Sequence, residues 1–279
     1  MKRKKRIGTT AKAVGCAVLL MISLFPIYWL LAMAIRPTDE MRGHIALIPQ
    51  SLTGMHFAQL FTSENFGQAI MNSLQTTFGS LIISLLAGIC AAYVIARRRF
   101  RFGLKKPMTY WVLLVRVLPP VAFTIPLYIM FNRLGVLNTK LPVMLACVLI
   151  NVPLIIWFLI SFFQDLPEEI EESAKVDGAT EWQLFCKIVL PLVAPGIAAV
   201  SMLSFMYAWN EYTYTVIFTR IPANNTVPLA LALLNTEDNL TNFGLVAAGG
   251  VISVIPITLF VIFAQNHLIS GLSSGAVKE

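Results

Sequence analysis

The chain has 279 residues, of which 57% are apolar and only 13% charged. Soluble domains carry roughly 25% charged residues, so a water-solvated globular fold is excluded as the main body of the protein. The net charge of +7 invites a nucleic-acid reading, which the placement of the basic residues along the chain argues against.

A hydrocarbon layer about 30 Å thick requires about 20 apolar residues per helical crossing. Six segments reach that length: residues 13–35, 69–96, 108–131, 141–163, 192–218 and 245–264. They are too long, and too often interrupted by Gly and Pro, for the alternating strands of about 10 residues that build a membrane barrel. The sequence predicts an all-α integral membrane protein of six transmembrane helices, forming a single domain over residues 1–279.

The first segment follows a basic arm, Lys2-Arg3-Lys4-Lys5-Arg6, and ends in Ala32-Met33-Ala34, an A-x-A-like cleavage pattern. A secretory apolar core is only about 7–15 residues long. This one is longer and five further segments follow, so it reads as an uncleaved anchor. The basic residues are sorted by connection. The N-terminal arm holds Lys2, Arg3, Lys4, Lys5, Arg6 and Lys12, and the stretch after the second segment holds Arg97, Arg98, Arg99, Arg101, Lys105 and Lys106. With Lys175, Lys187 and Lys278 these lie on one side of the membrane; Arg36, Arg42, Arg133, Lys140 and Arg220 lie on the other. That asymmetry predicts cytoplasmic termini and a multi-pass protein of the cell membrane. The surplus meets anionic lipid headgroups rather than nucleic acid.

The connection 36–68 is outside, carries Pro37 and Pro49, and has room for a short surface helix. The second apolar segment shows Ser73, Thr77, Ser80, Ser84 and Gly88 at three-to-four spacing, a small-residue ribbon that predicts a close helix contact. Ala247-Ala248-Gly249-Gly250 in the sixth reads the same way. The connection 219–244 is polar and holds two N-x-T sequons, at Asn224 and Asn239. Cys16, Cys90, Cys147 and Cys186 are dispersed and imply no disulfide framework. His44, His56 and His267 are scattered and read as surface or interfacial.

The inner connection, residues 165–191, is the most informative. Glu168, Glu169, Glu171 and Glu172 follow Pro167, and acidic side chains favour the positive end of a helix. A helix is predicted from Pro167 to about Asp177. Gly178 can take the positive φ that ends it, and Thr180 can cap a second helix with Glu181 in its first turn. Trp182, Phe185, Ile188 and Val189 then recur at helical spacing. The product is a helix–turn–helix beneath the bilayer.

Glu172-Ser173-Ala174, three residues, Gly178, nine residues and Ile188-Val189-Leu190-Pro191 resemble the "EAA" loop of ABC-type importer permeases, with Ser173 for Ala as the sole departure. Asn72-Ser73-Leu74, Leu118-Pro119-Pro120, Ile125-Pro126-Leu127-Tyr128, Trp209-Asn210-Glu211 and the stretch from Gly271 to Lys278 extend the likeness over essentially the whole chain. Together they resemble the smaller permease of carbohydrate importers, similar to that of maltose and glycerol-3-phosphate systems. The resemblance implies a type I importer fold in which the loop seats in a cleft of an ATPase subunit. Glu172 would then make a polar contact, Gly178 would set the turn, and Ser173, Ala174, Asp177, Ala179 and Trp182 would complete the docking surface. Gly271, Leu272, Gly275, Val277 and Lys278 would reach between two ATPase subunits. The resemblance further implies a heterodimer with a second permease, an extracytoplasmic solute-binding protein, and ATP and Mg on the ATPases, with no cofactor or metal on this chain.

Arg116 and Glu211 are the formal charges inside apolar segments, and such charges point by default to function. They are candidates for the substrate pathway or for a mutual ion pair. Ser204, Tyr207, Glu211 and Tyr214 fall at i, i+3, i+7 and i+10, one face of a continuous helix, with Asn210 beside them. Hydroxyl, aromatic and carboxylate groups in one stripe suit a wet, sugar-binding cavity. Asn151 ahead of Pro153 is a further candidate.

The sequence holds no G-x-x-x-x-G-K-[ST] phosphate cradle, no H-E-x-x-H and no G-x-S-x-G, so no enzymatic site is predicted. An ATP-driven permease for a sugar or sugar derivative accounts for the whole pattern. An ion-coupled secondary transporter would share the broken helices but leaves residues 172–191 without a purpose. A membrane receptor or scaffold predicts binding without uptake.

Overall fold

A computed structural model describes residues 2–41, 46–97, 105–234 and 243–275; the side chains of 2–11, 13, 105, 106, 109, 113, 116 and 266–275 are not part of the description. All regular structure among the described residues is helical. In chain order the helices are α1 (Lys2–Ala34), α2 (Met55–Thr62), α3 (Phe66–Arg97), α4 (Lys105–Val117), α5 (Thr124–Arg133), α6 (Leu141–Gln164) and α7 (Glu168–Val176). They continue with α8 (Glu181–Leu192), α9 (Ala194–Trp209), α10 (Thr213–Phe218), α11 (Val227–Leu233) and α12 (Phe243–Gly275). Val14–Ala34, Phe66–Arg97, Leu141–Gln164 and Phe243–Gln265 are each long and apolar enough to cross a membrane. Leu19, Leu20, Met21 and Ile22 of α1 point outward, as a lipid-facing helix requires.

Two of the six predicted segments are not continuous helices. The segment 108–131 is divided into α4, a 3-10 turn over Pro120–Phe123, and α5. Pro119 and Pro120 supply no N–H donors and their rings exclude the preceding turn from an α-helix. The segment 192–218 bends by 73° between α8 and α9, and breaks again between Trp209 and Thr213. Taken as one span, α8 with α9 would be a fifth crossing.

The contacts divide the chain into two units, residues 1–67 with 230–255 and residues 68–229 with 256–279. In the first, the end of α1 is held by a clasp. Arg36 is 1% exposed; its Nη2 donates to the Ala46 carbonyl at 2.5 Å, and its Nε lies 3.6 Å from Glu40. Glu40 in turn accepts from the Ser51 backbone at 2.7 Å and the Ser51 hydroxyl at 2.6 Å. His56, expected at a surface or interface, is instead buried, with its Nε2 2.9 Å from the Arg36 carbonyl oxygen. It sits where Gly244 has no side chain: a Cβ there would overlap the imidazole. Likewise Gly249 admits Leu231, whose Cδ2 would lie 2.5 Å from an added Cβ.

In the second unit α6 packs on α4 and α9 around a core that includes Ile95, Ile155, Leu159, Phe163, Leu184 and Val200. The small-residue face of α3 lies inward, with Ser73, Thr77, Ser80 and Ser84 all buried. A Cβ on Gly88 would stand 2.6 Å from Ile155 Cγ2, so α3 approaches α6 closely because that position has no side chain. Phe205 of α9 stacks on Phe260 of α12 at 4.2 Å.

Candidate functional site

Two regions carry the predicted site residues. The first is the helix–turn–helix of α7 and α8. Pro167 precedes α7, and Glu168, Glu169 and Glu171 occupy its first turn, where they complement the helix dipole. Gly178 adopts φ +81°, a conformation costly for a residue with Cβ, and Ala179 N–H returns to the Ala174 carbonyl at 3.0 Å. Thr180 caps α8 as the hydroxyl acceptor for Gln183 N–H at 3.3 Å, while Gln183 Oε1 accepts from Thr180 N–H at 2.9 Å. This reciprocal pair is a capping box; the partner role of Gln183 is absent from the sequence reading. Over Leu184–Val189 the helix widens to π geometry.

The surface of this motif is apolar where the chain turns. Val176 is 87% exposed and Trp182 71%, although each is an expensive residue to leave in water. Glu172, Ser173, Asp177 and Gly178 are also exposed. Ser173, Ala174, Asp177 and Ala179 line an open depression of about 480 Å³ with Glu169, Ile170 and Ile188. Ala174 is 6% exposed at the floor of this depression and also belongs to the core shared with α3 and α6. Val176, two positions on, faces fully outward and is not among the expected docking residues. Val176 was recoverable as the apolar residue in the last turn of an otherwise acidic helix.

The second region surrounds the break after α9. A cavity of about 500 Å³ is lined by Pro120, Leu203, Met206, Tyr207, Asn210, Glu211, Tyr212 and Thr213. Tyr207, Asn210 and Glu211 thus share one cavity lining. Tyr207 and Pro120 also line an adjoining cavity of about 190 Å³ with Val115, Leu118, Ile150 and Leu154. The single helical face predicted for Ser204, Tyr207, Glu211 and Tyr214 does not exist, because the helix stops at Trp209. Ser204 and Tyr214 are fully buried. Tyr214 stacks on Phe218 at 5.6 Å and donates its hydroxyl to the Pro120 carbonyl at 2.9 Å. Asn151 is buried as well, its Nδ2 donating to the Ser204 carbonyl at 3.3 Å across α6 and α9. It joins two helices rather than facing the cavity.

Glu211 has a local task that the sequence did not reveal. Its carboxylate accepts from Tyr214 N–H at 2.8 Å, Thr215 N–H at 3.1 Å and the Thr215 hydroxyl at 3.3 Å. These are first-turn donors of α10, which have no intrahelical partner. The side chain of Arg116 lies outside the described residues, as do Val277 and Lys278; Gly271, Leu272 and Gly275 fall in the last turns of α12.

The connection between α10 and α11 is pinned to neighbouring turns. Asn72 Nδ2 donates to the carbonyls of Ala223 at 2.8 Å and Asn225 at 2.9 Å, and Ser73 Oγ accepts from Val227 N–H at 2.8 Å. Asn138, at φ +63°, accepts from Arg220 N–H at 2.8 Å and from Asn224 Nδ2 at 2.6 Å.

Residues 84–274 match the family described as binding-protein-dependent transport system inner membrane component. The chain is 32% identical over 257 residues to the trehalose transport system permease protein SugB of Mycobacterium tuberculosis, covering 92% of this chain and 93% of that one. It is 32% identical over 288 residues to the arabinooligosaccharides transport system permease protein AraQ of Halalkalibacterium halodurans, with all of both chains covered. Its fold matches a chain in the crystal structure of a bacterial ABC transporter involved in import of the acidic polysaccharide alginate. That match has a TM-score of 0.78 at 20% identity and covers 95% of this chain and 97% of the other. The chain belongs to the binding-protein-dependent transport system inner membrane component family. It is a multi-pass permease subunit of an ABC importer, a component that is not itself an enzyme.

Proposed function

We infer that this permease moves a sugar or sugar derivative inward by alternating access, driven by ATP hydrolysis on partner subunits. The observation that carries the reading is the α7–α8 turn, which holds Val176 and Trp182 in solvent on a rigidly capped frame. An exposed apolar tip on an acidic, well-capped hairpin is a surface built for a protein partner. In this reading Glu172, Ser173, Ala174, Asp177, Gly178, Ala179 and Trp182 meet the ATPase, and the stretch 271–279 reaches between two ATPase subunits that hold the ATP and Mg.

The carbohydrate class is supported by relatives named for trehalose, diacetylchitobiose and arabinooligosaccharides. Tyr207, Asn210 and Tyr212 at the cavity supply the aromatic faces and amide that sugar rings and hydroxyls require. Six crossings follow if α4 with α5, and α8 with α9 and α10, each complete one passage of a single permease domain with both ends in the cytoplasm of the cell. A second permease would complete the pathway. A solute-binding protein would meet the pinned connection near residues 219–227; a solved alginate transporter was crystallised with such a periplasmic protein.

The test is purification of the chain in mild detergent from its own membrane, together with Glu172→Lys and Gly178→Pro variants assayed for uptake. The unaltered chain should bring a nucleotide-hydrolysing subunit in stoichiometric amount, and both variants should insert yet lose transport. Recovery without any such subunit, or normal transport by both variants, would overturn the reading.

A further inference from the structure

Helices α6 and α9 are joined covalently to the α7–α8 motif, but α3 is not. Nonetheless the C-terminal end of α3 holds that motif through an ion pair and aromatic contacts. Arg97, in the last turn of α3, places its Nε 2.9 Å from Glu171 Oε1 on α7. The same guanidinium donates from Nη2 to the Leu166 carbonyl at 2.7 Å. Both side chains are largely shielded, at 8% and 16% exposure, where a charge pair is little screened by solvent. One helical turn earlier, Tyr93 lies against Phe185 of α8 at 4.9 Å and against Phe163 of α6 at 5.5 Å. Ala92, Ile95 and Ala96 share a buried cluster with Ala174 and Leu184.

A guanidinium that holds an ion pair at one nitrogen and a hydrogen bond at another constrains orientation as well as distance. The contrast within the motif is instructive. Lys175 and Glu181 also pair, at 3.1 Å, but they are 50% and 63% exposed and stay within the hairpin; such pairs contribute little. Arg97 and Glu171 instead bridge two elements separated by 74 positions in the chain.

We propose that the Arg97–Glu171 pair is the strut through which displacement of the α7–α8 motif is delivered to α3, making both of them positioning residues for transport. The proposal rests on the reading of that motif as the ATPase dock. When the dock shifts, α6 and α9 are pulled by the chain itself, whereas α3 follows only through side chains. An ion pair and a backbone hydrogen bond made by one guanidinium resist rotation and sliding together; apolar contacts alone permit both.

Cys90 provides a native reporter, since it is on α3, exposed and free. The experiment uses the full importer complex, with Cys16 and Cys186 replaced by Ser, and follows alkylation of Cys90 by N-ethylmaleimide with and without Mg-ATP and vanadate. The variants are Arg97→Met, Glu171→Met, the double Arg97→Met/Glu171→Met, and Arg97→Lys. Removing one partner leaves a shielded charge unpaired and destabilises the fold, whereas replacing both by apolar side chains is close to neutral. The double variant therefore separates folding from transmission.

In the unaltered complex the Cys90 rate should change on Mg-ATP and vanadate. In the double variant the ATPase should still co-purify and hydrolyse ATP while the change at Cys90 is lost, and Arg97→Lys should keep part of it. The proposal is overturned if Cys90 in the unaltered complex does not respond while the ATPase is bound. It is equally overturned if the double variant responds as the unaltered complex does. Failure of the unaltered chain to hold an ATPase at all would instead remove the docking reading beneath it.

Discussion

The carboxylate of Glu211 accepts the backbone N–H of Tyr214 at 2.8 Å, and this contact divides the fifth apolar segment into two helices. The acid stands three residues ahead of the donor, the spacing of a side chain that satisfies the open end of a helix. A charge inside an apolar segment is thus placed where peptide donors already await an acceptor. Because Glu211 also lines the 500 Å³ cavity, the residue that stops α9 and starts α10 sets the shape of that cavity. Its carboxyl oxygens are engaged by the backbone, and Tyr207, Asn210 and Tyr212 line the same cavity.

Glu211→Ala should therefore act on structure first. Loss of a capping side chain costs about 0.5–2 kcal/mol, and bonds to a charged acceptor stand at the upper end. Glu211→Gln keeps one acceptor oxygen and should fall between the two. Unfolding followed in detergent ranks the three proteins. If Ala and Gln variants unfold like the parent while uptake alone is lost, the carboxylate acts on the solute and not on α10.

Val176 and Trp182 give a second expectation. Both are exposed, so Val176→Lys and Trp182→Ala should leave the fold of the isolated chain within about 0.5 kcal/mol of the parent, as surface changes generally do. Centrally placed Trp anchors in protein interfaces lose about 2 kcal/mol or more on truncation. ATPase capture by the Trp182→Ala chain should fall accordingly, measured as the ratio of the two subunits after purification. Unchanged capture by both variants would place the docking surface elsewhere.

The helix–turn–helix was legible because its determinants are local: Pro167, the acidic first turn, Gly178 at positive φ and Thr180 as cap all act within a few residues. The long apolar helices were legible for the same reason, through composition over one segment. What failed was extrapolation of period. No Pro or Gly marks residues 210–212, so the stripe from Ser204 to Tyr214 was continued through a break that Glu211 itself creates. Burial set by distant partners was equally hidden. His56 is inside because Gly244 leaves room for its ring, and Ala174 is inside because α3 and α6 converge on α7. The Arg97–Glu171 pair joins positions that no helical spacing relates.

Asn72 makes a further prediction from hydrogen-bond geometry. It is fully buried and donates to two carbonyls of the connection between α10 and α11, at Ala223 and Asn225. Asn72→Leu leaves those acceptors without their donor, at about 1–3 kcal/mol for a buried group left unsatisfied. The effect should be local to residues 222–227. Amide hydrogen exchange there should accelerate while α6 is unaffected; uniform acceleration along the chain would show that Asn72 supports the whole fold.

Close approach at Gly88 can be tested by filling it. A Cβ would meet Ile155 Cγ2 at 2.6 Å and Ile155 Cβ at 2.8 Å, and Ile155 is fully buried. Overpacking of this kind costs about 1–3 kcal/mol. Ile155→Ala removes the atom that collides, so Gly88→Ala and Ile155→Ala should combine with a coupling of more than about 0.5 kcal/mol, favourable to the double variant. Strict additivity in detergent unfolding would mean that α3 and α6 part readily at this level.

The clasp at the end of α1 carries a pH dependence. The hydrogen bond from the Ser51 hydroxyl, helped by the Ser51 and Gln50 backbone and by Arg36, holds the Glu40 carboxyl below its ordinary value of 4.5, against a smaller opposing effect of burial. A group whose pKa is depressed in the folded chain contributes stability that is complete above its unfolded value and lost as pH falls through the folded one. Residues 46–51 should therefore resist proteolysis at neutral pH and open only below the ordinary carboxyl range. Glu40→Gln should remove that acid dependence and leave the segment equally accessible at both pH values. An acid-induced opening that persists in Glu40→Gln would assign the titration to another group.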